Sequence, residues 1–173
     1  MSFKITLFAT AVLLFCNKLV AQNQVTLNVN LYPIQTLVIN PSQKEVNLNY
    51  STLNDYENGV VSLQKDHLTI YSTGGFQVKV NALASSTNQS ALKNISIEPT
   101  LGSNPLQNGT VIYSEKIISE TEQPIISATK GAINKNVSIS YKGAGNDVFF
   151  NNTTANNSST HFTYTLLYTI IAQ

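Results

Sequence analysis

Apolar and polar residues alternate one for one along most of the chain after residue 22, and this period leaves few folds open. Val25, Leu27, Val29 and Leu31 share one parity, with Thr26, Asn28 and Asn30 between them. Val46, Leu48 and Tyr50 repeat the pattern, as do Leu68 and Ile70, then Phe76, Val78 and Val80. Ile95 and Ile97 follow, then Val137, Ile139 and Tyr141, and last Phe162, Tyr164, Leu166, Tyr168 and Ile170. Successive side chains of a strand point to opposite faces, so each set lies on one face of a strand. The helical spacing i, i+3, i+4, i+7 is hard to find in the same stretch. Strands polar on one side belong to antiparallel sheets with one wet face, because doubly covered parallel strands read as unbroken apolar runs.

Turn signals separate these strands: Asn40-Pro41, Asn58-Gly59, Gly74-Gly75, Asn104-Pro105, Asn108-Gly109, and residues 143–146. The clearest expected hairpin joins Leu68-Thr69-Ile70-Tyr71 to Phe76-Gln77-Val78-Lys79-Val80 through Ser72-Thr73-Gly74-Gly75. The pattern predicts about nine or ten strands, and two apolar sheet faces must then cover one another. The expected class is all-β, an antiparallel two-sheet β-sandwich of Ig-like or pilin-like kind. Residues 81–93 suit a turn or two of helix or a polar crossover, and residues 151–160 suit a polar loop before the last strand.

The first segment has a different logic. Lys4 precedes a nearly unbroken apolar run from Ile5 to Cys16, and Ala21 suits the last residue removed. This is the pattern of a secretory signal over residues 1–21, leaving one sandwich domain at 22–173. A dozen or so apolar residues fall short of the roughly 20 that span a bilayer, and no later run comes closer. Leu13-Leu14-Phe15-Cys16 resembles a bacterial lipoprotein box, but there the residue before the Cys is small and Phe15 is not. Cleavage removes the sole Cys, hence any disulfide, thiolate metal site or cysteine nucleophile. It also removes two of the ten Lys, so that eight Lys face nine acids. Before or after cleavage, this balance gives no footprint for nucleic acid, which needs clustered cations against phosphates.

Reactive chemistry is thin. His67 and His161 are the only histidines, and both are expected at the first residue of a strand in solvated or hydrogen-bonding roles. Zinc sites need three or four ligands, and no His-Glu-x-x-His or paired Cys is present. No Gly-x-Ser-x-Gly elbow marks a nucleophile, and Asp66 points to the strand face opposite His67. The acids cluster as Asp55/Glu57, Glu115 and Glu120/Glu122, the last in a segment that reads as an exposed loop. Asn54-Asp55-Tyr56-Glu57-Asn58-Gly59 alternates hard oxygen ligands ahead of a turn glycine, which makes Asp55, Glu57 and Asn58 candidate calcium ligands. Carbohydrate modules use exposed aromatic rings. Trp is absent, and Tyr32, Tyr56, Tyr71 and Tyr113 are the rings left for a glycan once Tyr50, Tyr141, Tyr164 and Tyr168 join apolar faces. Nine Asn-x-Ser/Thr sequons follow from 21 Asn among abundant Ser and Thr, so they do not support glycosylation. The expectation is a non-enzymatic protein without a cofactor.

A signal followed at once by an alternating strand, with a second such strand closing the chain, resembles small secreted pilin-like or fimbrial-subunit sandwiches of bacteria. Chaperone-assembled pilins commonly carry a disulfide and a near-terminal aromatic with an upstream Gly, whereas this chain ends Ile170-Ile171-Ala172-Gln173. The resemblance implies an exported surface, extracellular or periplasmic protein with a structural or adhesive role. It also implies other protein subunits as partners, joined by strand addition to a sheet edge, with Val25, Leu27, Val29 and Leu31 as the strand-exchange residues. The alternative expectation is a secreted carbohydrate- or calcium-linked binding module.

Overall fold

The computed structural model describes residues 23–83, 89–152 and 160–173. The expected signal, residues 1–21, lies outside the described residues, as do residues 153–159 of the expected polar loop. Among the described residues the chain forms nine strands: β1 (Gln35–Ile39), β2 (Val60–Ser72), β3 (Phe76–Ala82), β4 (Ile95–Leu101), β5 (Val111–Tyr113), β6 (Lys116–Ile117), β7 (Gln123–Ala128), β8 (Ala132–Gly143) and β9 (Leu166–Ala172). They assemble into two antiparallel sheets, ordered β1-β2-β8-β4-β6 and β5-β7-β3-β9. Short helices α1 (Leu53–Asn58) and α2 (Gln89–Leu92) complete the regular structure. No helix among the described residues is long and apolar enough to cross a membrane.

Period two places the core. Leu68 and Ile70 of β2, Val137 and Ile139 of β8, and Ile97 of β4 face Phe76 and Val78 of β3 and Ile126 of β7, all fully buried. Fully burying one such side chain is worth roughly 1.5–3 kcal/mol, so a one-residue slip that turned a set outward would be ruinous. At Ile125 the register with β3 slips by one residue, and this bulge tucks both Ile125 and Ile126 inside. β8 is the central strand of its sheet. Its outward Ser138 and Ser140 are also buried, because small hydroxyls are shielded by β2 on one side and β4 on the other.

The expected hairpin at 67–82 is not one. β2 belongs to the first sheet and β3 to the second, so residues 73–75 carry the chain across the core instead of folding it back alongside itself. A two-residue hairpin turn of the commonest kind needs positive φ at both central residues. Neither Gly74 nor Gly75 has it; the positive-φ glycines are Gly59 and Gly109. Gly75 serves close approach, since a Cβ there would sit 3.1 Å from the Ala128 carbonyl oxygen. β8 is followed by a loop and a short 3-10 turn at Phe150–Asn152.

Three other stretches depart from the alternation reading. Residues 46–50 form no strand, although Val46 and Leu48 still pack against the core. Residues 162–165 are not strand either: Thr165 O accepts from Leu83 N–H at 2.8 Å, and β9 begins at Leu166. Alternation reports which side of an extended chain is covered, and a chain can be covered without a hydrogen-bonded neighbour. Within residues 81–93, Asn81 and Ala82 extend β3, α2 closes the segment, and residues 84–88 lie outside the described residues.

Replacing Ile139 by Ala should lower stability by about 2–5 kcal/mol, because it opens a cavity between the sheets. Ile133→Ala, on the same strand with its side chain exposed, should change it by no more than about 0.5 kcal/mol. Urea midpoints of the two variants check the assignment of faces.

Candidate functional site

Four strands are sheet edges, and they are not alike. β6 is two residues long and carries Lys116, next to Glu115, whose carboxylate takes a hydrogen bond from Lys142 Nζ at 3.1 Å. β5 has three residues, β1 five, and β9 seven. An edge exposes unpaired N–H and C=O groups, and natural edges are blunted by brevity, charge or proline. Leu166-Leu167-Tyr168-Thr169-Ile170-Ile171-Ala172 has none of these guards. The inward row of β9, Leu166, Tyr168 and Ile170, is only half-buried, whereas the β3 residues paired with it, Ala82, Val80 and Val78, are buried. Leu37 and Ile39 of β1 are likewise half-buried beside the buried Ile70 and Leu68. The core is therefore only partly covered along the β1 and β9 edges.

The four strand-exchange candidates lie in residues 23–31, outside the compact unit Tyr32–Gln173 that holds both sheets. Val25, Leu27, Val29 and Leu31 are 92%, 84%, 71% and 89% exposed. The expected strand is not formed there.

The three calcium candidates are built into α1. Thr52 caps its N-terminus, with Asp55 N–H donating to Thr52 Oγ1 at 3.3 Å and the Asp55 carboxylate accepting from Thr52 N–H at 2.7 Å. Asp55 also accepts from Ser51 N–H at 2.9 Å, and these backbone donors hold its carboxyl below the ordinary carboxylate value. Asn58 Nδ2 donates to Asn54 Oδ1 at 2.9 Å, and Glu57 is exposed. On a helix, residues two apart point about 200° from each other, so Asp55 and Glu57 diverge. Gly59 ends the helix at φ 83°, donating its N–H to Asp55 O. The turn glycine that made the segment look like a calcium loop is a helix terminator. Among the described residues, no group of three or more His, Cys, Asp or Glu side chains is placed to hold a metal ion.

Of the four tyrosines considered for a glycan, Tyr32 is 78% exposed. Tyr56, Tyr71 and Tyr113 are half-buried. Tyr56 stacks 5.4 Å from Tyr50, which lies 5.0 Å from Phe149 and donates its hydroxyl to Ala144 O at 2.8 Å. Tyr113 has its hydroxyl buried without a partner.

The arrangement that the sequence reading missed centres on His67. It lies deep within β2, only 2% exposed. Between Gln64 and Leu68 the pairing of β2 with β8 breaks register, and Asp66 takes φ 51°. This bulge turns His67 inward beside Leu68, against simple alternation. Asp66 is turned away, its carboxylate accepting from Ser103 N–H and Oγ, both at 2.7 Å, and these bonds lower its pKa. His67 Nδ1 lies 3.0 Å from Gln43 Oε1 and Nε2 2.9 Å from the Tyr141 hydroxyl, which lies 2.6 Å from the Tyr168 hydroxyl. Gln43 Nε2 donates to Lys65 O at 2.9 Å. Tyr141 belongs to the first sheet and Tyr168 to the second, so the chain of bonds ties the sheets together inside the core. Burial lowers the His67 pKa and raises that of Tyr141 to about 12, and that of Tyr168 is raised well above its ordinary value. All three are neutral at pH 7, and both imidazole nitrogens are taken up by hydrogen bonds. The bulge between Gln64 and Leu68 has no composition signal; only the lone Asp66 against the strand pattern marks the spot.

No protein-family model matches this sequence, and neither does any curated protein.

Tyr141→Phe should cost about 1–3 kcal/mol at pH 7.5, because it leaves His67 Nε2 and the Tyr168 hydroxyl buried without their shared partner. Acid should also weaken the fold through His67. Its folded pKa lies below the ordinary 6.5, so the unfolded chain binds the proton more tightly. This contribution to stability is whole above 6.5 and declines as pH falls toward the folded pKa. His67→Gln should flatten the urea midpoint between pH 7 and pH 5, above the range in which the carboxylates titrate.

Proposed function

We propose that this chain is an exported bacterial surface or structural protein, adhesin- or fimbria-like, whose subunits join through their β-strand edges. The observation that carries the reading is β9, an uncharged seven-residue edge without proline, on a chain whose exposed residues 25–31 match it in length and in apolar period. A strand added to such an edge gains backbone hydrogen bonds, and its alternate side chains fill the adjoining groove. Val25, Leu27, Val29 and Leu31 are the donor side chains in this reading. Thr26, Asn28 and Asn30 keep the outer face wet. The half-buried row Leu166, Tyr168 and Ile170 gains cover when the strand arrives. Donor and acceptor carry no charge, so affinity comes from backbone pairing and apolar burial, and salt should matter little. We read the sandwich itself as pilin-like, the partner as another protein subunit, and the place of work as the cell surface.

Size-exclusion chromatography and electron microscopy of the chain from Gln22 onward should show ladders or fibres. Removing residues 22–31 should give a monomer with an unchanged urea midpoint. A truncated chain that unfolds would make this segment an ordinary part of the domain and end its role as donor.

A further inference from the structure

Hydrogen-bond chemistry gives the His67 network a direction. Gln43 Nε2 donates to Lys65 O, which fixes the side-chain amide so that its oxygen faces His67. That oxygen only accepts, so Nδ1 carries the imidazole proton and Nε2 has the lone pair. The Tyr141 hydroxyl must then donate to Nε2, and its own oxygen takes the proton of Tyr168. The order runs one way: Tyr168 to Tyr141 to His67 to Gln43 to Lys65 O. The bulge leaves Lys65 O outside the β2–β8 ladder and so free to end the series.

Protonation of His67 would reverse the inner half of this order. Nε2 would become a donor, Tyr141 would have to turn its hydroxyl toward Tyr168, and Tyr168 would need a new acceptor. Among the described residues Tyr168 has no second hydrogen-bond partner. The groups around the ring offer no countercharge. Gln43 comes from the 3-10 turn after β1, Tyr141 from β8 and Tyr168 from β9. On β2 itself, Asp66 is held by Ser103. Lys142, next to Tyr141, is held by Glu98 at 2.9 Å and Glu115 at 3.1 Å.

We propose that this series is an acid-operated latch on β9: at neutral pH it ties the edge strand to the first sheet, and a proton on His67 releases that tie. The ladder to β3 holds β9 in its own sheet in either state, so the effect is more frequent local opening of one strand. The latch acts within a single chain and does not depend on whether subunits assemble.

Amide hydrogen exchange, corrected for the intrinsic pH dependence of exchange, tests it. Between pH 7.5 and 5, the protection of Leu166–Ala172 should fall by about tenfold for each pH unit between the unfolded and folded His67 values. Val111–Tyr113, an edge strand of the same sheet away from the latch, should hold its protection. His67→Gln should make β9 protection independent of pH. Tyr168→Phe removes the bond from β9 to Tyr141 at every pH and should shrink the pH effect on β9 while the fold persists, so it serves if the His67 variant does not fold. Unchanged β9 protection in acid would overturn the latch. So would an equal loss at β5, or a Tyr168→Phe protein with the parent's pH dependence.

Discussion

The pairing of β2 with β8 runs from Val60 opposite Gly143 to Ser72 opposite Ala132, and it creates an apolar face that must be covered. Leu68, Ile70, Val137, Ile139 and Tyr141 all stand on that face. Water cannot cover them at tolerable cost, so the second sheet does, and the layer between the sheets holds most of the buried apolar side chains. The strands that meet here are about 70 residues apart in sequence, which no local propensity can arrange. Gly143 shows how tight the fit is at the end of this ladder. A Cβ there would collide with the Tyr50 hydroxyl and lie 3.0 Å from its ring.

The same ladder contains its own interruption. The bulge at residues 65–67 costs regular backbone bonds, yet the lost partners are replaced. Asp66 N–H donates to Ser138 Oγ at 3.1 Å, Asn40 N–H to His67 O at 2.8 Å, and Gln43 to Lys65 O. What the bulge achieves is a polar group in an apolar layer with both ring nitrogens satisfied. Buried polar series of this kind are stable only while complete. Here completeness depends on the neutral imidazole, and the first donor, Tyr168, sits on the edge strand β9.

Protection is uneven around the sheet margins. Pro99 lies on β4 beyond the short reach of β6, and Pro124 on β7 beyond the reach of β5, so neither missing N–H breaks a ladder on its outer side. β6 is short and flanked by charge. The β9 margin is long, apolar and uncharged, and it lies beside the flank where the inward row of β1 is also half-covered. A structural or adhesive subunit could use such a margin, and a protein that stayed alone would gain from hiding it.

Alternation in the sequence was enough for the all-β class, for two apolar faces, and for the inward parity of Leu68, Ile70, Phe76, Val78, Val80, Ile97, Val137 and Ile139, because side-chain direction in an extended chain is local geometry. It did not decide which strands are neighbours. The Gly74-Gly75 segment reads the same whether the chain returns beside itself or crosses to the other sheet, and only packing against Ala128 and Thr129 separates the two. The helix at 53–58 was hidden because its capping Thr52 and Asp55 resemble a polar turn until the backbone closes. Residues 25–31 and 46–50 alternate without forming strands, since pairing needs a partner and parity does not. His67 was least legible of all. Simple parity puts it outside, and the bulge that brings it in depends on contacts with Ser103, Ser138 and Asn40, which come from distant parts of the chain. Where period two is unbroken, the sequence by itself determined the buried face. Where a bulge adds residues to a strand, tertiary structure decided, because the added residues leave the pleat and their directions are set by contacts from distant parts of the chain.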